Sequence, residues 1–223
     1  MNWKIIMEKN NESILATRSV NALQVFYTMV LSLAVVQSVQ QIIDINYATN
    51  GIIFKTEYAV NFLVFIFLVI PFYQGAIRYL DETYITGKRP VLKKLQGLID
   101  VLFFFFEGMI FYSMALAIPN NHDFYLATLI VLTVDIIWLG SVYFANHMVF
   151  LQIKWWLFLN VIAIFIILFS FSMNCLDEKS KYLYLGAVMF LRTILDYSLT
   201  GSFYWPGALP SSINNSIKEE ENS

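Results

Sequence analysis

Residues 97–111 read GLIDVLFFFFEGMIF, a stretch in which four consecutive phenylalanines lie between two carboxylates, Asp100 and Glu107. It belongs to an apolar run over 96–118 that ends before Pro119, and a membrane span needs about 20 such residues. Residues seven apart on an α-helix differ by only about 20° around its axis, so both carboxylates lie on one face. The stretch predicts a membrane-spanning helix whose acidic face is turned away from lipid.

The rest of the chain repeats this apolar character. Of 223 residues, 58% are hydrophobic and 13% are charged, against roughly 25% charged residues in ordinary soluble domains. We therefore predict an all-α, polytopic transmembrane helical bundle of about six spans, five strong and the sixth shorter. The other spans are expected at 20–43, 59–80 (with a kink at Pro71), 124–147, 155–174 and 182–199.

Several classes of function are excluded by what the sequence lacks. The polar joints between the apolar runs leave no room for a separate soluble domain. A single cysteine, Cys175, excludes an internal disulfide and a cysteine-based zinc site. We find no nucleophile elbow, phosphate-binding loop, HExxH or dinucleotide motif. We expect no enzyme activity, no cofactor and no direct nucleic-acid binding.

The domain organisation follows from the spans. We expect a cytoplasmic amino-terminal segment at 1–19, a transmembrane helical domain at 20–200, and an interfacial turn followed by a disordered acidic cytoplasmic tail at 201–223. The first 20 residues lack the apolar core of a signal peptide, so the amino terminus is expected to be retained.

Orientation is predicted from one basic loop, formed by Lys88, Arg89, Lys93 and Lys94. Loops rich in lysine and arginine stay on the cytoplasmic side of a membrane. Six spans then leave both termini in the cytoplasm. The expected location is the inner membrane of a bacterial cell.

Charged residues fall at matching depths in three of the predicted helices. Glu107 lies roughly 16 Å into its span at about 1.5 Å per residue, near mid-membrane. Asp135 is equally far from the turn centred near residue 121, on the antiparallel helix. Arg192 reaches the same level on the sixth span, where it can pair with Asp196 at i+4. The sequence therefore predicts an intramembrane charge cluster of Glu107, Asp135, Arg192 and Asp196.

A second pair is predicted at the cytoplasmic ends of two spans, between Arg78 and Asp100, if their helices are neighbours. Two interpretations of the mid-membrane charges remain open. They can form a static polar clasp that fixes helix packing. Alternatively, they can line a water-filled path, with protons or cations balancing the excess of acid.

Three functions fit these patterns. The first is a channel-like or pore-like protein with a charge-lined intramembrane cavity. The second is a non-conducting accessory or anchor subunit that regulates a cytosolic protein partner, for example in a bacterial defence system of the CRISPR type. The third is a proton- or cation-coupled carrier. Membrane lipid is an expected partner. A homo-oligomer is also expected, because Gln37, Gln40 and Gln41 need a neighbouring chain that shields them from lipid.

Overall fold

The fold is known from a computed structural model that describes residues 3–46, 51–85, 94–145, 151–172 and 177–205. Over those residues the chain forms six α-helices and one antiparallel pair of short strands, and the predicted helical bundle is confirmed. The helices are α1 (Trp3–Ile42), α2 (Ala59–Leu80), α3 (Lys94–Leu116), α4 (Asn121–Ala145), α5 (Leu151–Ser172) and α6 (Glu178–Tyr204).

Five stretches of helix are long and apolar enough to cross a membrane, namely Thr17–Ile42, Thr56–Ile85, Gly97–Leu116, Asn121–Phe144 and Gln152–Ser172. The second of these includes a 3₁₀ turn at Thr56–Tyr58 and a π-helical turn at Asp81–Ile85 on either side of α2. The five strong spans predicted from the sequence are these five helices. Helix α6 is long enough but is not among them, since its sequence is less apolar.

The six helices form a closed ring in the order α1, α3, α4, α5, α6, α2. Helices that are consecutive in the sequence run in opposite directions, so their ends gather at two ends of the bundle. We call them the Asp81 end, where α2 finishes and α3 begins, and the Pro119 end, where α3 turns into α4. At the Pro119 end Asn120 accepts hydrogen bonds from the backbone N–H groups of His122 and Asp123, as an N-cap residue does. The tight hairpin predicted between these two helices is confirmed.

The strand pair was not predicted. Strands β1 (Ile43–Asn46) and β2 (Gly51–Phe54) pair in antiparallel register, with Ile43 opposite Phe54 and Asn46 opposite Gly51. They continue directly from the end of α1 and lead into α2 at the Pro119 end. Such short strands carry little periodic signal, and the pairing depends on the connection between them rather than on either strand alone.

Some predicted boundaries differ from the observed ones. Helix α1 begins at Trp3, inside the segment predicted to be cytoplasmic, and α6 continues to Tyr204, into the predicted interfacial turn. The domain assignment itself stays a prediction. Residues 206–223, which include most of the predicted tail, lie outside the described residues.

Helices α1 and α3 approach closely at Gly108. A Cβ atom at this position would lie 2.7 Å from Cγ1 and 3.3 Å from Cβ of Val30. Val30 is β-branched and has one strongly preferred rotamer in a helix, so it has little freedom to move away. The closeness of these two helices thus depends on the absence of a side chain at residue 108.

We expect Gly108→Ala to lower the free energy of unfolding by about 1–3 kcal/mol, the usual effect of overpacking. Thermal unfolding of the purified chain in detergent measures the change. Gly201→Ala is the matched control, because a Cβ there meets nothing within 4 Å, and alanine in a helix is favoured over glycine by roughly 0.5–1 kcal/mol. Val30→Ala should restore most of the loss, and full destabilisation in that double variant would contradict the contact.

Helix α2 continues through Pro71, which is buried. Proline has no backbone N–H, so the carbonyl of Phe67, four residues earlier, lacks its helical donor. Thr193 of α6 supplies the missing bond, since its Oγ1 donates to the Phe67 carbonyl at 2.8 Å. The same hydroxyl also lies 2.9 Å from the Met189 carbonyl of its own helix. A side chain from the neighbouring helix therefore satisfies the backbone group that proline leaves open.

Loss of this hydroxyl should destabilise the bundle only while proline is present. We expect Thr193→Val to lower the free energy of unfolding by about 1–3 kcal/mol, the cost of leaving a buried acceptor without a donor. In a Pro71→Ala background the helix supplies its own N–H, and the same substitution should cost much less. A double-mutant cycle in detergent measures the difference, with Ser198→Ala, an exposed hydroxyl bonded only within α6, as the control. Equal losses in both backgrounds would refute the linkage.

Candidate functional site

The four residues of the predicted charge cluster line one cavity in the middle of the ring. Glu107, Asp135, Arg192 and Asp196 are 4%, 8%, 5% and 0% exposed, and the cavity has a volume of about 30 Å³. A water molecule needs roughly 10–15 Å³ of such space, so one or two waters fit. Glu107 of α3 and Asp135 of α4 thus lie at one level, as their equal distance from the hairpin turn predicts. Arg192 and Asp196 of α6 lie across the cavity from them.

An asparagine lies between the acid of α4 and the base of α6. Asn160 of α5 donates from Nδ2 to Oδ2 of Asp135 at 2.5 Å and accepts at Oδ1 from Nε of Arg192 at 2.9 Å. This orientation of the amide is the only one that serves both neighbours, because the carboxylate needs a donor and the guanidinium needs an acceptor. Asp135 and Arg192 are therefore linked through the amide of Asn160.

Asp196 is the most fully bonded acid of the cluster. Its carboxylate lies 3.6 Å from Nη1 of Arg192, the i, i+4 pair expected from the sequence. It accepts hydrogen bonds from Nε1 of Trp156 at 2.9 Å, from Oγ1 of Thr200 at 2.8 Å and from Oη of Tyr204 at 3.1 Å. Donors from two helices thus hold this carboxylate in place, as a buried charge requires.

Arg192 is held from several sides, but one of its donor atoms makes no hydrogen bond. Its Cζ lies 5.3 Å from the centre of the Phe72 ring, a cation–π distance. Its Nη1 is buried and lies 3.6 Å from the Asp196 carboxylate, an ion-pair distance that is too long for a hydrogen bond, and Arg192 itself lines the cavity. A buried N–H group without an acceptor is unfavourable by about 1–3 kcal/mol, so this atom requires an acceptor in the cavity.

Glu107 has a tyrosine as its hydrogen-bond donor. The hydroxyl of Tyr27 on α1, which is fully buried, donates to Oε2 at 2.7 Å. The ring of Tyr27 packs against Phe104, one turn before Glu107 on α3, with centroids 5.3 Å apart. Of the four phenylalanines at 103–106, Phe104 is buried in the core and Phe106 is 58% exposed, so the run faces both the interior and the outside.

Asp100 forms a second polar site nearer the Asp81 end. Its carboxylate accepts hydrogen bonds from the hydroxyls of Tyr84 at 2.6 Å and Tyr79 at 3.1 Å, and from Nε1 of Trp138 at 3.3 Å. Trp138 also lines the central cavity. The polar groups therefore continue from the cavity towards this end of the bundle, where Tyr84 is partly exposed.

The predicted pair between Arg78 and Asp100 does not form. Arg78 donates from Nε to the carbonyl of Phe203 at 2.9 Å and from Nη2 to Glu82 at 3.1 Å, and Nη1 lies 3.9 Å from Asp81. The reason is the face of α2 on which each residue lies, because Arg78 is turned towards α6 while its neighbour Tyr79 reaches Asp100 on α3. The guanidinium therefore binds the end of α6 and the π-helical turn.

The basic loop lies largely outside the described residues. The structure does not describe Lys88, Arg89 and Lys93, and Lys94 is described only as the first backbone position of α3. Their role stays a prediction.

The donors and bridging groups around the cluster were missed from the sequence, namely Tyr27, Trp156, Asn160, Thr200 and Tyr204. Asn160 carried a usable signal, since it is an amide inside the most apolar run. The tyrosines and the tryptophan had no such signal in a chain with 13 tyrosines and 5 tryptophans.

A layer of buried apolar side chains lies next to the cavity on its Pro119 side. Phe111 is fully buried one turn beyond Glu107, and its ring lies edge-on to Phe72 at 5.5 Å and Phe65 at 6.3 Å. Met114 and Ile118 continue the same buried face. An aromatic and aliphatic layer therefore separates the cavity from this end.

The arrangement brings three carboxylates and one guanidinium together around space for water. It can bind and pass protons or stabilise a cation, and none of its parts resembles a nucleophile with an activating base. Comparison with protein-family models, with curated protein sequences and with solved structures gave no match.

Proposed function

We propose that this chain is a channel-like protein of a bacterial inner membrane that conducts protons or small cations through the interior of its helix ring. The observation that supports this most is the cavity, lined by Glu107, Asp135, Arg192 and Asp196 at mid-depth. Charged side chains inside membrane helices are unfavourable by about 2.5–3.5 kcal/mol each, and those that are found generally serve transport. Here the acids outnumber the base, as suits a path for positive charge.

The two halves of the interior suggest how conduction is controlled. Polar groups run from the cavity to Asp100 and Tyr84 at the Asp81 end, while Phe65, Phe72 and Phe111 form an apolar layer on the other side of the cavity. Hydrophobic constrictions close channels by excluding water. In this proposal the structure represents a closed state, open to one side and shut by the aromatic layer.

Orientation in the membrane is proposed from the basic loop. Ile85 and Lys94, the described residues on either side of the loop, lie at the Asp81 end, so the polar half is proposed to face the cytoplasm and the aromatic layer to face outward, with both termini in the cytoplasm. Helix α6 is proposed to span the membrane as well, because its charged side chains face the cavity and its outer face is apolar. The exposed residues of that face are Leu183, Phe190, Leu191, Ile194, Leu195 and Leu199.

A homo-oligomer is proposed from helix α1. Gln40 and Ser32 are exposed on the part of α1 from residue 22 to 42, where the other exposed residues are apolar, such as Met29 and Leu33. Polar side chains at the lipid face favour a second helix that can bond them. A ring of copies would shield these groups and bring several cavities together.

Flux through liposomes tests the conducting function. The purified chain, reconstituted in vesicles under an ion gradient, should give flux above that of protein-free vesicles. Phe111→Leu shortens the aromatic layer and should raise the flux, whereas Phe106→Leu, on the exposed face of the same helix, should not. Absence of flux from both the wild type and Phe111→Leu, with gel filtration showing folded protein, would refute the function.

The accessory subunit is the second candidate, and one observation favours it. Asp100 and Asp196 each accept hydrogen bonds from three or more side chains, as expected of a static clasp that fixes helix packing. Such a subunit would bind a cytosolic protein through its basic loop. Co-purification of that protein should then be lost when Lys88, Arg89, Lys93 and Lys94 are replaced by glutamine. The carrier, which uses the same acids, would show saturable flux coupled to a second solute.

A further inference from the structure

The charges around the cavity do not balance. Glu107, Asp135 and Asp196 carry three negative charges when ionised, and Arg192 carries one positive charge. In a low-dielectric interior this excess must be neutralised by bound protons or by a bound cation. The two possibilities make different demands on space and on ligands.

A metal cation does not fit these demands. A hydrated cation carries several waters, and the cavity has room for only one or two, since each needs roughly 10–15 Å³ of its about 30 Å³. A dehydrated ion such as Ca²⁺ needs 6–8 oxygen ligands. Among the described side chains, no group of three or more His, Cys, Asp or Glu residues is placed to hold a metal ion.

Arg192 adds a second obstacle and indicates what occupies the cavity. Its guanidinium is 5% exposed, and its positive charge opposes any metal cation that enters. Its Nη1 has no hydrogen-bond acceptor. A water molecule can accept from Nη1 and donate two hydrogen bonds to neighbouring carboxylates. The cavity therefore suits one or two waters between the guanidinium and the acids.

We infer that the cavity holds water and takes up a proton, and that Arg192 keeps metal cations out. The proton can pass from one acid to another through the water without any other reactant. The protonated carboxyl of Glu107 gives its proton to the water, the water gives another proton to the carboxylate of Asp135, and the water is regenerated. That the proton is also the conducted species rests on the proposed function, whereas its occupancy of the cavity does not.

The surroundings of Glu107 come from each helix of the ring. Tyr27 of α1 donates to it, Asp135 of α4 shares its cavity, and Arg192, Asp196 and Tyr204 of α6 lie across that cavity. Helices α2 and α5 line the same space with neutral side chains, namely Pro71, Phe72, Gly75, Ala76 and Trp156.

Infrared spectroscopy of the full chain in detergent tests occupancy without transport. A protonated buried carboxyl gives a C=O stretch that shifts in D₂O, and this band should be reduced or shifted in Glu107→Gln and in Asp135→Asn, where two acids still face one base. The expected band is the same in sodium, potassium and choline chloride. A band that sodium or potassium abolishes, or no band at all, would overturn the inference.

Flux measurements separate this inference from the proposed function. With a pH-sensitive dye inside vesicles, the wild type should acidify them equally well when potassium is replaced by a large organic cation. Flux carried by potassium without acidification would overturn the inference and leave conduction standing. No flux of any ion would refute conduction, and the infrared band would then decide the occupancy.

Replacement of Arg192 tests its role in exclusion. In Arg192→Gln, sodium or potassium should reduce the infrared band, because the opposing charge is gone. Arg192→Lys keeps the charge and should keep the band insensitive to salt, which also provides a folded comparison if the glutamine variant is unstable. A band insensitive to salt in folded Arg192→Gln would show that the arginine does not exclude metal cations.

Discussion

Arg192→Met is expected to lower the free energy of unfolding by about 3–5 kcal/mol, the effect of removing one partner from a buried ion pair. Asp196 is 0% exposed and Asp135 is 8% exposed, so neither carboxylate can turn to solvent when the guanidinium is lost. Asn160 also loses the donor that occupies its Oδ1. Reversible unfolding of the purified chain in detergent measures the change.

The matched control is Arg18→Met, which makes the same substitution at an exposed arginine of α1 and should have a small effect. Asp196→Asn in the Arg192→Met background removes the uncompensated charge and should recover a large part of the loss. If the single variant is as stable as the wild type, Arg192 does not balance the buried acids.

Neutralisation of either cavity acid is expected to reduce flux by roughly 100-fold. A positive charge at mid-membrane is unfavourable by about 2.5–3.5 kcal/mol, and the carboxylates offset that barrier. Each 1.36 kcal/mol added to a barrier slows passage about tenfold. Glu107→Gln and Asp135→Asn keep the size of the side chains, so the main change is the loss of a group that can carry a negative charge or a proton.

Vesicle flux of each variant is compared with that of two controls at exposed acids. Asp123→Asn lies on the same helix as Asp135, and Glu57→Gln is an exposed glutamate. Both should conduct like the wild type. Wild-type flux in the folded Glu107→Gln and Asp135→Asn variants would show that the current does not pass the cavity.

The level of the charge cluster could be predicted because it depends on regular geometry alone. In two antiparallel helices joined by a tight turn, equal distance from the turn gives equal depth, and this brings Glu107 and Asp135 to one cavity. The direction of α6 brings Arg192 to the same level. Helix rise and chain direction are properties that a sequence of clear spans already contains.

The partners of each charge could not be predicted in the same way. They depend on which helices are neighbours in the ring, and the sequence carries no signal for the order α1, α3, α4, α5, α6, α2. Arg78 therefore binds the carbonyl of Phe203 on α6, while Asp100 receives donors from Tyr79, Tyr84 and Trp138. The bridging role of Asn160 was missed for the same reason, because it requires α5 to lie between α4 and α6.

Two tryptophans donate hydrogen bonds to buried carboxylates, so intrinsic fluorescence can report on the interior. Trp138 donates its N–H to Asp100, and Trp156 donates its N–H to Asp196. The emission colour of an indole responds to the electric field across its ring, so each tryptophan reads the charge of one carboxylate. The chain has five tryptophans, so the signal of each position is obtained as the difference between the wild type and Trp138→Phe or Trp156→Phe, without an attached dye.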